Sequence, residues 1–250
     1  MQNLSPACTF NKNEEKIKCP SSTKLGCSDG TKIIQHEINE RNMMPEIPNV
    51  SLTDENDFTF NKKRHVSSIP KNNNEYWVYP SSQQFYNSLI RKNKDIDKNY
   101  IDAVVSVHNE VNEESWKQIL KYEHMHKRSC TDVTLHRFLG KFDDLSIKAR
   151  FRSIFSRGKK KKNNNNNKKS VKGFFFMGRP FDRHDWYVNR CGTQVKYILD
   201  YYNDESINDD KNIYIDVRPA MNSFSNVWDR LRYPFYEFYF KYVKKDELFK

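Results

Sequence analysis

The stretch Ile101–His126, IDAVVSVHNEVNEESWKQILKYEHMH, decides how the rest of the chain is read. Its apolar residues recur at helical spacing: Val104, Val105 and Val107 in the first part, then Trp116, Ile119 and Leu120. Asn112 reads as an N-cap, because its side-chain oxygen can accept an orphan amide. Glu113 and Glu114 then follow where the positive end of a helix favours acids. Val111 and Trp116 stand at the spacing of a hydrophobic staple. The expectation is two consecutive helices with His108 at their junction, one turn beyond Val104. An imidazole at such a corner is fixed by backbone on both sides; the plain alternative is a partly buried histidine that only packs.

Outward from this stretch, Glu75–Lys94 predicts an extended segment at Tyr76, Trp77 and Val78. A helix follows Pro80, with Phe85, Tyr86, Leu89 and Ile90 on one face and Arg91, Lys92 and Lys94 at its end. Asn39–Asn49 and Arg64–Lys71 take extended or turn character from their prolines, with a loop over Ser51–Lys63 between them. Downstream, His124 and His126 stand two residues apart and face different sides of a helix. They make a poor metal pair and are expected to face solvent. Thr131–Phe142 predicts a strand ending at Gly140, and Ser146–Phe155 a short basic helix. DWYVNR and TQVKYILDYY predict a hairpin turning at Arg190-Cys191-Gly192. Asn212–Met221 adds a strand ended by Pro219, and Asn222–Lys245 a final aromatic helix bent or broken at Pro234. The fold class is α+β: a small antiparallel sheet from the C-terminal half, with helices around it.

Composition narrows the function. Hydrophobic residues make up only 36% of the 250, while 17 Phe and 14 Tyr raise aromatics to 14%, so large rings carry the core. The net charge of +11 favours nucleic acid, an anionic membrane or an acidic ligand. Much of the excess comes from KKKKNNNNNKKS at Lys159–Ser170, a low-complexity insertion expected to be disordered. It has no interleaved aromatics to stack on bases, so no nucleic-acid role is assigned. Residues 1–40 are polar, without periodicity, and are expected to form a disordered tail. No apolar run reaches the roughly 20 residues that span a bilayer. The N-terminus has neither a signal core nor the arginine-rich character of a presequence. Five irregularly spaced cysteines, none paired as C-x-x-C, argue against a zinc site and against a disulfide framework.

VVSVHNEVNEESWKQILKYE resembles the central segment of the mitochondrial holocytochrome c synthases, the cytochrome c haem lyases. The resemblance extends in order through an NMMP box, an SSIP box, WVYPS with its following Gln, Phe and Asn, then FDRHDW, RCGTQVKYILDYY, DVRPAM and VWDR. It covers about Asn39 to Arg232 apart from the insertion, so the family domain is placed at 41–245. Two departures stand out: Tyr122 occupies a position where relatives often place tryptophan, and the chain after Arg232 is poorly matched.

What the resemblance implies is a lyase that joins haem b to apocytochrome c, at the intermembrane-space face of the mitochondrial inner membrane. The thiols of the substrate's C-x-x-C-H segment add across the haem vinyls, so the enzyme needs no catalytic cysteine of its own. Its work is positioning, which can supply ~7–11 kcal/mol. By the same resemblance His108 is the haem-iron ligand, and Glu113, His184 and Arg190 are supporting positions. Arg183 is available to haem propionates, and Trp77, Trp116 and Trp186 to the macrocycle. Cys19, extended by Pro20, resembles the family's Cys-Pro motif that presents a thiolate to haem. The partners implied are haem, apocytochrome c through its N-terminal helix and C-x-x-C-H segment, and the inner-membrane surface, on which a Phe/Tyr helix with lysines can lie. Two rival readings stand beside it: a haem-binding chaperone that never forms the thioethers and, ranked last because only the charge suggests it, a basic RNA-binding protein.

Overall fold

Among the described residues two short antiparallel hairpins come first, β1 (Ile38–Asn39) with β2 (Met44–Pro45) and β3 (Val66–Pro70) with β4 (Tyr76–Val78). Helices α1 (Ser82–Arg91) and α2 (Ile101–Glu123) follow. Four strands, β5 (Val133–Gly140), β6 (Asp182–Arg190), β7 (Thr193–Asn203) and β8 (Ile213–Pro219), then form one antiparallel sheet in chain order. Helix α3 (Phe224–Phe238) runs on into a π-helical turn at Tyr239–Lys244. This computed structural model describes residues 38–51, 59–72, 74–94, 96–141, 144, 146, 148–150, 179–203 and 213–249. Cys19, the rest of the 1–37 tail and the Lys159–Ser170 run lie outside them, as does the Phe151–Phe155 part of the helix expected after Ser146.

The expected α+β class is what the chain adopts, and most element positions are as read from the sequence. The central stretch is corrected. It is one helix of 23 residues with no break at His108. Asn112 does not cap. Its side-chain amide donates to the His108 carbonyl one turn back at 2.7 Å, a bond that belongs inside a helix rather than at its start. Pro234 likewise leaves α3 unbroken; the change to π geometry comes five residues later, at Tyr239.

Helix α1 begins where Pro80 predicts, because Ser81 and Gln84 form a reciprocal capping box. Its buried Asn87 donates to the carbonyls of Pro48 and Val50 at 2.9 and 2.8 Å, and Gln84 donates to that of Ile47 at 2.8 Å. The Asn39–Asn49 segment, read as extended or turn-like from its prolines, is thereby fastened to the helix.

Pleating gives the sheet two unlike faces. Trp186, Val188, Val195, Tyr197, Leu199, Tyr201 and Val217 point to one side and pack with Trp116, Ile119 and Tyr122 of α2. The other side carries charge: buried Asp185 meets Arg183 and Lys196 at 3.0 and 2.7 Å, and buried Arg218 joins Asp200, Asp216 and Ser146. The turn between β6 and β7 puts Cys191 and Gly192 at φ values of 43° and 89°, the left-handed pair that a two-residue hairpin requires. Cys191 at that tip is disulfide-bonded to Cys130, 61 residues earlier. Irregular spacing argues against a disulfide framework; the fold nonetheless brings these two cysteines together, and nothing along the chain announces it.

Candidate active site

His108 lies midway along α2, half-buried, between helix α1 and the turn after β4. Phe85 of α1 stands edge-to-face with it at a centroid separation of 5.5 Å, and Tyr79 at 6.3 Å. Its Nδ1 is 3.4 Å from Asn109 Oδ1 and its Nε2 is 3.4 Å from Asn112 Nδ2. Burial pushes the imidazole below its ordinary value of 6.5; the Asn109 contact opposes this, and the charge of His184 adds to it. His108 is therefore neutral at neutral pH, the form that can donate a lone pair to a metal.

Strand β6 runs beside α2 and places the other sequence candidates by simple alternation. His184, Trp186, Val188 and Arg190 share the face toward α2, whereas Arg183 and Asp185 take the opposite one. His184 stands at the His108 end. Its Nε2 is 3.2 Å from Asp182 Oδ2, its ring stands edge-on to Tyr201 with centroids 5.3 Å apart, and its buried Nδ1 has no hydrogen-bond partner among the described residues. Tyr201 continues the link to α2, its hydroxyl 3.1 Å from Ser115 Oγ. Burial would raise the Asp182 carboxyl, but the hydrogen bond and charge of His184 hold it below its ordinary value.

Arg190 stands at the far end. It makes a two-pronged pair with Glu123, at 2.6 and 2.9 Å, while Tyr197 donates to the same carboxylate at 2.6 Å. Fifteen residues of helix separate His108 from Glu123, about 22 Å along the axis. The structure thus groups His108 with His184 and leaves Arg190 at the other end of the same interface. Arg183 is on the reverse face, donating to Asp185 at 3.0 Å and to the Asp144 carbonyl at 3.1 Å.

The three tryptophans named as ring-stacking candidates are built into packing. Trp116 and Trp186 are buried in the core between α2 and the sheet. Trp77 is half-buried, donating its indole N–H to the Leu135 carbonyl at 2.9 Å with its edge on Phe138. Glu113 fastens α2 to the β3–β4 hairpin. It accepts from the Ser68 amide at 3.1 Å, from the Ser68 hydroxyl and from the Tyr79 hydroxyl at 2.9 Å.

Beside this fastening an open cleft of about 630 Å³ lies between the hairpin and α2. Asn61, Lys63, His65, Val66 and Ser68 line one side, and Asp102, Val105, Ser106, Asn109 and Glu113 the other. Tyr79 is shared: its ring touches His108 and its hydroxyl the cleft wall. Sequence reading missed Tyr79, Lys63 and His65 as site residues. Only the position of Tyr79 directly after the Trp77–Val78 strand hinted at it. The two downstream histidines do not face solvent as expected. His124 Nδ1 is 2.8 Å from the Tyr236 hydroxyl and His126 Nε2 is 2.8 Å from Asp229 Oδ2, so both hold α3.

His108 is thus an imidazole kept neutral by burial beside Phe85 and Tyr79. Among the described residues no group of three or more His, Cys, Asp or Glu side chains could hold a metal ion. The chain belongs to the cytochrome c/c1 heme lyase family, which it matches over residues 1–233, and it is a lyase. It is 38% identical to the human holocytochrome c-type synthase over 208 residues, 79% of this chain and 69% of the relative. The corresponding protein of Bos taurus is 37% identical over 229 residues, 87% of this chain and 72% of the relative. The holocytochrome-c synthase of Saccharomyces cerevisiae is 33% identical over 241 residues, 88% and 82%. No experimentally solved structure matches the chain.

Proposed function

We propose that this lyase is a holocytochrome c synthase, joining haem b to the two cysteines of a C-x-x-C-H segment in apocytochrome c. The observation that carries the reading is His108: a neutral, half-buried imidazole in the segment that most resembles the family's haem-ligating motif. In each of two steps a substrate thiol adds across a haem vinyl. The sulfur–carbon bond forms at the inner vinyl carbon and the thiol proton passes to the terminal one, so the addition is redox-neutral. The enzyme's part is to hold the partners in attack geometry. His108 Nε2 takes the iron, and the substrate's own histidine takes the opposite face. Asn109 orients the His108 ring through Nδ1, as partners of metal-ligating histidines do. Glu113 and Tyr79 set the ring's depth by fixing α2 to the hairpin. His184, with an unpartnered Nδ1, lies on the same side of the sheet. The cleft beyond Tyr79 is where we place the substrate peptide.

The reading puts the protein at the intermembrane-space face of the mitochondrial inner membrane, held peripherally, since no described helix is long and apolar enough to cross a bilayer. Co-expression with an apocytochrome c tests it, with covalent haem read on a haem-stained denaturing gel. Stained cytochrome with the wild type and almost none with His108→Ala is the expected result. Haem bound by the wild type alongside unstained cytochrome would replace the synthase with a haem carrier. Equal staining with both forms would remove His108 from the chemistry.

A further inference from the structure

Helix α3 wears its amphipathicity inside out. Its inward side is rich in polar attachments: Asp229 contacts His126 and Arg232 at 2.8 and 2.7 Å, Arg230 donates to the Pro219 carbonyl at 2.6 Å, and Tyr236 contacts His124. The Tyr233 ring, stacked 3.9 Å from Tyr122, adds the main apolar contact on that side. The outward side carries Phe224, Trp228, Leu231, Phe235, Phe238 and Tyr242, each more than half exposed, with Phe224 at 87% and Phe235 at 80%. These positions repeat at alternating intervals of four and three. They form one stripe about 30 Å long from α3 into the π-helical turn. A stripe of this kind on a folded surface marks a contact with something else.

We infer that the outward face of α3 and the π-helical turn docks on the surface of an anionic bilayer, lying in the plane of the interface. Charge selects this occupant. From Phe224 to Lys245 no acidic side chain is exposed: Asp229 is buried and Glu237 is half-buried, while Lys241, Lys244 and Lys245 are exposed at one end. A helical protein partner is favoured by charges of both signs along the flanks of its seam. Here the flanks offer only the lysine cluster, which suits a lipid surface of one sign. Five of the six stripe residues are aromatic, the side chains that settle at the headgroup boundary with an apolar body and, in Trp and Tyr, a polar tip. The inference gives a surface to the membrane placement proposed above. It uses none of the residues around His108, so its failure and that of the synthase reading are separately visible.

The test uses the full chain with vesicles of phosphatidylcholine alone or doped with phosphatidylglycerol, read by co-sedimentation and tryptophan fluorescence. Trp228 is the reporter, because Trp116 and Trp186 are buried and Trp77 is half-buried. The expected result is binding that prefers the doped vesicles, with a blue shift and quenching by brominated lipid that Trp228→Phe removes. Phe235→Ser and Phe238→Ser change outward rings only, and each should weaken partitioning roughly tenfold. Joint substitution of Lys241, Lys244 and Lys245 by Gln should erase the preference for anionic lipid. Wild type that leaves Trp228 unquenched on every vesicle overturns the inference without any variant needing to fold. So does unchanged binding by the two serine variants, or equal binding to both vesicle types. Concentration-dependent self-association that the serine variants abolish, without vesicle binding, would assign the face to a second copy instead.

Discussion

His108 acquires its chemistry from its surroundings. Taken alone it is one of seven histidines in the chain. Removing water from around it disfavours the imidazolium, so the folded protein holds it neutral where a free histidine would begin to protonate. The sign for stability follows: with the folded value lowered, the unfolded chain binds the extra proton first, and the contribution of His108 to stability falls as pH drops below about 6.5. A histidine-resolved NMR titration should place the His108 midpoint below 6.5 in the intact protein, and a midpoint at or above it would contradict this account. Glu113 makes a second prediction at the same scale. Glu113→Gln keeps the shape but replaces a charged acceptor for Ser68 and Tyr79 by a neutral one. The loss should be about 1–2 kcal/mol in urea unfolding, by the difference between charged and neutral hydrogen bonds. If His108 depth matters, haem affinity should fall with it while the far end of α2 is untouched.

Between elements, α2 is joined to the sheet at two places, through β7 toward His108 and through β6 at Glu123, and the two do different work. Toward His108 the link is the Tyr201–Ser115 hydroxyl pair from β7 to α2, with the His184 ring of β6 set edge-on to Tyr201. At the other end Arg190 and Glu123, with side chains 11% and 2% exposed, form a charged pair further bonded by Tyr197. Arg190→Ala would strand a buried carboxylate and should cost about 3–5 kcal/mol, whereas joint replacement of the pair by apolar residues should cost far less. A double-mutant cycle measures that difference. Arg190→Ala should also leave the His108 titration midpoint unchanged, since about 22 Å of helix lies between them. The Cys130–Cys191 bridge ties the β6–β7 turn to the segment leaving α2 across a 61-residue separation. Cys191→Ser should lower stability by about 2–4 kcal/mol in non-reducing buffer and by nothing further in reductant. Cys191 is exposed at a turn and free of core contacts, so the change isolates the cross-link.

For the whole molecule, acid sensitivity follows two partly buried carboxyls, Asp229, which fastens α3 to His126, and Asp182, which pairs with His184 on its own strand. Burial would raise Asp229, but its bond to His126, the charge of His126 and that of Arg232 hold it below the ordinary 3.8; Asp182 is held down by His184 in the same way. Both folded values are lowered, so their stabilisation is complete above the unfolded carboxylate range and is lost as pH falls through the folded values. Urea midpoints should therefore decline below about pH 4. The Asp229→Asn variant should start lower and decline less steeply. An unchanged slope would show that the α3 attachment does not titrate.

Local patterning was enough to find most elements. The Ser81–Gln84 cap, the Cys191–Gly192 turn and the helical spacing around Trp116 depend on neighbours a few residues apart, which the chain itself displays. Motifs did the same for the family, which the match over residues 1–233 shows. Where local rules competed, the sequence could mislead: Asn112 has the chemistry of a cap, yet with both flanks already helical its amide bonds back to the His108 carbonyl. Which candidates meet was decided only by the tertiary structure, because strand alternation and helix rise are read against a partner. Arg183 and His184 are neighbours in sequence and lie on opposite faces of the sheet. Arg190 shares the His184 face but is carried to Glu123, and Cys130 finds Cys191 through a hairpin tip. The outward stripe of α3 follows the same logic. Periodicity declared an amphipathic helix, but only the bonds from Asp229, Arg230 and Tyr236 to the body determined that its apolar face looks out.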